Sequence, residues 1–228
     1  MINTDLHLHS CLSPCAEDEM DPFDVVRMAK LIGVDLVALT DHNSSKNCPA
    51  AELAAKECGI GFIPGAEITT AEEIHCICLF PTVAQAFAFH KSLKRLRPRY
   101  RNKPDVFGHQ RIVNPDGTME EEPYLLFPAT DISIMKLSGV VQKYGGLFWP
   151  AHVDRGMNSL LSVLGSWPKE LQADAVEVKY QDTGGIPVSI KRVNGSDAHQ
   201  LCDMKENGYP LPLETADFNG LARYLRGI

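Results

Sequence analysis

Thr4-Asp5-Leu6-His7-Leu8-His9-Ser10 is the stretch on which the reading of this chain turns. Its alternation marks a strand, and in a strand His7 and His9 project from one face while Leu6 and Leu8 project from the other. Two imidazoles on one face, beside the carboxylate of Asp5, form one half of a metal cage. A bare His-x-His is more often a pair of exposed strand histidines, so the other half has to be found elsewhere in the chain.

The chain has 228 residues, 44% hydrophobic and 22% charged, enough for one substantial core. α/β barrels use this length as a single unit, and one domain over residues 1–228 is expected. The net charge of -7 argues against coating nucleic acid through overall charge and leaves room only for a local basic groove. The sequence opens on the histidine strand without a basic, apolar or cleavable leader, and it contains no membrane-spanning run, so a cytoplasmic location is expected. Seven cysteines without an export signal read as reduced thiols. Cys11 and Cys15 lie near the histidine strand, but their spacing is not matched by a second pair, so they read as free thiols.

Working outward, Asp21-Pro22 caps a helix that Gly33 ends, and Val34 to Thr40 is an apolar run suited to a buried strand, closing on Asp41-His42-Asn43. A helix over 49–58 stops at Gly59, a strand over 60–64 leads into Gly65-Ala66-Glu67, and another strand covers 74–80. Residues 83–96 have helical spacing and a basic end, Lys94, Arg95 and Arg97, which reads as a dipole-matched, solvated terminus. The polar stretch 98–128 breaks the rhythm. Asn114-Pro115-Asp116-Gly117 is a turn signal there, so 106–124 reads as an inserted hairpin or excursion. Helices over 131–144 and 158–164, strands over 147–151, 175–178 and 187–193, and a final helix over 216–225 complete the order.

Strands alternating with helices imply a parallel barrel or wound sheet, where chemistry collects at the C-terminal ends of the strands. His9, His42, Glu67, His152 and the Asp197/His199 pair all fall at strand ends, whereas His75 falls near a strand start. Six of the eight histidines belong to this set, which leaves His90 on a helix and His109 in the insertion. Nitrogen and carboxylate donors suit zinc, iron or manganese, and there are more of them than one ion can use.

These residues resemble the polymerase and histidinol phosphatase (PHP) superfamily. The motifs are Asp5-Leu6-His7-Leu8-His9-Ser10, Leu39-Thr40-Asp41-His42, Gly65-Ala66-Glu67, the His75 strand, Ala151-His152 and Gly195-Ser196-Asp197-Ala198-His199, in family order. The resemblance implies an α/β fold, a distorted (β/α)7 barrel with the inserted excursion around 98–128, and a trinuclear centre of two to three divalent ions (Zn, Mn or Fe). It implies a first site of His7, His9, Glu67 and Asp197, with Glu67 bridging to a second ion on His75 and His152. A third site would use His42 and His199 with an acid from the loop after the first strand, Glu17 by counting back from Pro22, or else Asp18.

The activity implied is hydrolysis of a phosphate ester of a small molecule, such as a nucleotide or histidinol phosphate, by a metal-activated hydroxide. Glu67 and Asp197 would be the catalytic ligands, and Arg155 a phosphate-binding cation whose plainer role is a salt bridge with Asp154 or a neighbour. His109, Arg111 and Lys191 are further substrate-binding candidates, while Asp5 and Asp41 would orient ligand imidazoles. Three other readings compete. An amidohydrolase would place a lysine where Glu67 stands, and a catalytically inactive regulatory module would have lost ligands. An exonuclease would need a long basic and aromatic groove, which the sequence does not display. The expected partner is a small phosphorylated substrate, with no membrane and no nucleic acid beyond a short oligonucleotide.

Overall fold

A computed structural model describes residues 1–179 and 184–227. The first half alternates as expected: β1 (Ile2–Leu8), α1 (Pro22–Leu31), β2 (Leu36–Leu39), α2 (Cys48–Cys58) and β3 (Gly61–Thr69). Asp21 caps α1 by accepting from the Phe23 N–H at 2.8 Å, and Gly59 ends α2 in the left-handed region at φ 66°. Then the alternation fails, because β4 (His75–Leu79) follows β3 with no helix between and pairs with it antiparallel.

α3 (Val83–Leu93), α4 (Pro104–Phe107) and the hairpin β5 (Arg111–Val113) and β6 (Met119–Glu121) come next. The hairpin turns at Asn114–Gly117, as its sequence signal implies. α5 (Ile134–Lys143), β7 (Leu147–Pro150), α6 (Leu160–Leu164), β8 (Ala175–Glu177) and β9 (Lys191–Val193) follow. Lastly come β10 (Tyr209–Leu211) and α7 (Phe218–Arg226).

The main sheet has the order β10-β1-β2-β3-β4-β7. β1, β2 and the first half of β3 run parallel, and β4 is antiparallel to both β3 and β7. The curl continues through β8, since the Asp174 N–H just before it donates to the Phe148 carbonyl of β7 and the Val153 N–H past β7 donates to the Glu177 carbonyl, and on to β9, parallel to β8. The loop after β9 then returns to β1, where the Asp197 N–H donates to the His7 carbonyl and the His9 N–H to the Ala198 carbonyl. This is a distorted barrel. β10 occupies the edge of β1 near its start, over Ile2–Thr4, and Pro210 is tolerated there because an edge strand can leave one N–H position unpaired.

The apolar residues form layers on both sides of this wall. Leu6, Ala38, Ile63, Ile77, Trp149 and Val193 fill the interior below the histidines, stoppered by Phe218, Leu221 and Leu225 of α7. Fully burying a side chain of this size is worth roughly 1.5–3 kcal/mol. Leu8 instead joins Val25, Ala29, Val37 and Ala54 outside, beneath α1 and α2. Leu6 and Leu8 therefore do not share a face, because β1 shifts register between Asp5 and Leu8 and a bulge carries successive residues to one side. Among the described residues no helix is long and apolar enough to cross a membrane.

Candidate metal centre

Six imidazoles meet at one end of the barrel. His7 and His9 leave the end of β1, His42 follows β2, Glu67 lies within β3, and His152, Asp197 and His199 lie on the loops after β7 and β9. His75 opens β4, and because β4 runs antiparallel its start lies at the same end as the other strands' finishes. Two candidate ligands hold backbone conformations that side chains rarely adopt, His152 at φ 30° and Asp197 at φ 55°. Gly195 lets the last loop pass behind His7, since a Cβ there would stand 2.5 Å from the His7 Cβ.

Glu67 is the hub, 1% exposed. His42 Nδ1 lies 3.0 Å and His75 Nδ1 2.9 Å from its carboxylate, with His152 Nε2 at 3.3 Å, His7 Nε2 at 3.4 Å and His9 Nε2 at 3.5 Å. Asp197 Oδ1 stands 3.2 Å from His7 Nε2 and 3.3 Å from His9 Nε2. Burial opposes charge on both carboxyls. His75, His7 and His42 around Glu67, and His7 with the His9 hydrogen bond at Asp197, nevertheless hold both below the usual carboxylate range. Burial, followed by the neighbouring His199 and His42, takes His9 well below its usual value, toward the neutral form that binds metal.

Hydrogen bonds fix several rings from behind. His7 Nδ1 donates to Glu177 Oε2 at 2.9 Å, and His199 Nδ1 donates to the Asp197 carbonyl at 2.9 Å. Ser13 Oγ spends its single proton on Asp41 Oδ1 at 2.7 Å, so at 2.9 Å it must accept from His9 Nδ1. All three rings then turn Nε2 toward the cluster, and although burial opposes it, the carboxylates of Glu177, Asp197 and Glu67 raise His7 well above its usual value. His7 Nε2 and His9 Nε2 face each other at 3.2 Å. Glu67 Oε2, His42 Nδ1 and His152 Nδ1 are buried without a hydrogen-bond partner. Ring nitrogens crowded around buried carboxylates, with polar atoms left unpartnered, are the arrangement that cations relieve, so the donor set fits bound metal. Three groups have donor atoms mutually within 4.8 Å: His7 with His9 and Asp197, His42 with Glu67 and His75, and His9 with His42 and His199.

Other residues singled out by sequence lie elsewhere. Glu17 is exposed and reaches His199 only through its backbone N–H, and Asp18 turns outward to Arg111 at 2.8 Å. The loop coils through tight turns from Ser10 to Met20, which moves its acids away from the cluster. Cys15, itself exposed, is the residue of this loop whose thiol acts on the cluster's histidines. Against a burial effect of opposite sign, hydrogen bonds with His199 and His42 bring its thiol down to about 6. Arg155 pairs with Asp197 Oδ2 at 2.6 Å, not with Asp154, and lines a cavity of about 610 Å³ with His42, Glu67, His75, His152 and His199.

His109 pairs with Glu121 on the hairpin, and Lys191 lies over the Tyr224 ring at the opposite end of β9 from the ligands. Asp5, pushed up to about 6 by burial, accepts from the Ser196 and His7 backbone and touches no imidazole; Asp41 acts on His9 through Ser13. Sequence reasoning missed Ser13, Glu177 and Lys179. Lys179 donates to the Ser196 carbonyl at 2.8 Å and lines an adjoining cavity with Arg155 and Asp197.

The sequence model described as PHP domain matches residues 5–131. A 5'-3' exoribonuclease of Haemophilus influenzae is 41% identical over 78 residues, 33% of this chain and 27% of that protein. The uncharacterized protein MJ1587 of Methanocaldococcus jannaschii is 25% identical over 105 residues, 42% of this chain and 61% of its own length. The chain thus spans less than two thirds of these curated relatives. Among solved structures, the lesion-specific endonuclease Q of Pyrococcus furiosus superposes with a TM-score of 0.68 at 18% identity, covering 100% of this chain and 56% of that one. A protein of Bifidobacterium adolescentis, provisionally described as a metal-dependent phosphoesterase, superposes at 0.61 and 16% identity, covering 99% and 96%. At these identities the likeness establishes the fold.

Proposed function

The chain belongs to the PHP domain family, and from that premise we propose that it is a hydrolase cleaving phosphate esters with two or three divalent ions held at the barrel mouth. The observation that carries this is the convergence of the Nε2 atoms of His7 and His9 on the buried carboxylates of Asp197 and Glu67. His7, His9, Asp197 and Glu67 would hold one ion, and Glu67, His75 and His152 a second. His42 and His199 would hold a third with Cys15, in place of the acid expected from the loop. A thiolate beside imidazoles favours zinc or iron over manganese at that position.

When bound, such ions supply Lewis acidity to a hydrolytic water and neutralise phosphoryl oxygens. The protein's own residues do the rest. Glu177, Ser13 with Asp41, and the Asp197 carbonyl fix which ring nitrogen faces the centre, so the donors need no reorganisation. Arg155 holds Asp197 with one nitrogen and lines the cavity, so its guanidinium edge can orient a phosphoryl oxygen. Lys179 adds a second cation on the same side. A cavity of about 610 Å³ is within the usual range for small-molecule sites and admits a nucleotide-sized ester. The carboxylate at the bridging position supports phosphoester over amide hydrolysis, and we read 1–228 as one catalytic unit. The test is hydrolysis of an aryl phosphate and a bis(aryl) phosphate with zinc, manganese or iron supplied in turn. Metal-dependent turnover is expected; no turnover with any of them would reject the reading.

A further inference from the structure

Between Ile74 and Pro104 the sequence contains no Asp or Glu, although the whole chain carries -7. Lys91, Lys94, Arg95, Arg97, Arg99 and Arg101 fall together in this stretch, and all but Arg97 are exposed. A helix dipole is matched within the last turn, and of these six only Lys91 belongs to the last turn of α3. Dipole matching therefore leaves the others unexplained. Among the described residues none of the six forms a direct ion pair with a carboxylate, whereas Lys46, Arg111, Arg155 and Arg226 each do; Glu122, paired with Lys46, is the acid that acts on Arg97. His90, at the foot of the ridge, is taken to about 3 by burial first and then by Arg97, Lys46 and Lys94, which reports the same positive potential.

The ridge also carries aromatic surface. Tyr100 is 62% exposed, and the Arg99 guanidinium lies 4.4 Å over the Tyr124 ring. Beside the Tyr124 ring a cavity of about 340 Å³ is lined by Lys46, Lys91, Lys94, Arg97 and Arg99, with Glu122 in its wall. The ridge is joined to the metal centre, because Arg97 Nη1 donates to the Asn43 carbonyl at 2.6 Å and Asn43 directly follows His42. Basic residues tracking a backbone, interleaved with rings on which bases stack, are the chemistry of single-stranded nucleic-acid binding.

We propose that this ridge binds the sugar–phosphate backbone of a single-stranded oligonucleotide and leads one of its phosphodiesters to the metal centre. The inference rests on the phosphoesterase reading and names its substrate class. Hydrolysis adds water across one P–O bond, giving the hydroxyl to phosphorus and the proton to the departing sugar oxygen. A free metabolite would need the cluster, Arg155 and Lys179, but not six further cations.

The experiment measures anisotropy of labelled single-stranded DNA and RNA 12-mers on the full chain, together with turnover of 12-mer and aryl phosphate. The variant is Lys94→Glu/Arg95→Glu/Arg99→Glu, all exposed positions outside the metal cluster. With about four phosphate contacts, wild-type affinity falls about 50-fold between 50 and 200 mM salt, a log–log slope of about -3. The variant should bind more than tenfold more weakly with a slope nearer zero, lose 12-mer turnover through KM, and keep aryl phosphate turnover within about twofold. Unequal affinity for DNA and RNA would identify which strand is preferred. Unchanged 12-mer affinity in the variant overturns the inference, as does binding of anionic phosphatidylserine vesicles in place of either strand. If wild type binds the 12-mer through the ridge but hydrolyses no phosphoester, it is the metal-centre reading that fails.

Discussion

The two halves of the histidine cluster are built differently. On one side His7 and His9 are pinned from behind, by Glu177 and by Ser13 with Asp41, and their Nε2 atoms are aimed at Asp197. On the other side His42 and His75 turn Nδ1 to Glu67, His152 leaves the nitrogen facing away from Glu67, Nδ1, buried without a hydrogen-bond partner, and the His75 side chain is 17% exposed. Ligands whose second nitrogen is engaged are fixed in tautomer and orientation before metal arrives, whereas ligands without such partners rely on the metal for their order. The pinned half is therefore a preorganised, tight site and the open half a weaker, exchangeable one.

The most damaging change should be to the pinned half's charge. Asp197→Asn keeps the shape but removes the anion facing both His7 and His9; aryl phosphate turnover should fall by about three orders of magnitude or more, on the scale of losing a catalytic metal. Substantial residual activity would put the centre elsewhere. Glu177→Gln tests preorganisation itself, since it frees the His7 tautomer without replacing a ligand. Metal affinity, measured by competition with a chromophoric chelator, should drop about 10–100-fold for the tightest ion. An equal loss at all ions would erase the contrast between the halves.

Ser13→Ala should act in the same direction on His9 by about tenfold, read by the same titration. Cys15→Ser addresses the remaining site. It should remove the thiolate-to-metal absorption of the cobalt-loaded protein and release one ion while the tightest stays bound. Retention of that absorption would exclude Cys15 as a ligand.

Much of this centre was legible because imidazoles announce themselves at strand ends. His75 resisted the pattern only because sequence does not show strand direction. Thr70 to Glu73 forms a tight hairpin, which reverses β4 and carries its first residue to the mouth. Glu177 was invisible for another reason. It ends a three-residue strand with no chemical signature, and its link to His7 spans 170 residues. Counting back from Pro22 suggested Glu17, but the coiled loop makes sequence distance a poor guide, and the thiol four residues from Cys11 faces His42 and His199 instead.

The basic residues after α3 were seen and read as a solvated helix end. What sequence could not show is that among the described residues none of these cations makes a direct ion pair and that Arg97 reaches the loop of His42. The apolar alternation of Leu6 and Leu8 was equally plain, and a bulge overrode it.

The most direct measurement is stepwise metal removal from protein purified without chelators, following ions per chain by elemental analysis as a competing chelator is raised. The expected result is two to three transition-metal ions at the outset, with those of the His42, His75 and His152 side leaving first. The last ion should resist until the chelator is roughly 10–100-fold more concentrated, and Glu177→Gln should abolish that resistance. A chain that holds no transition metal, and gains neither metal nor hydrolytic activity when zinc, manganese or iron is supplied, would contradict the assignment of this cluster as a metal centre.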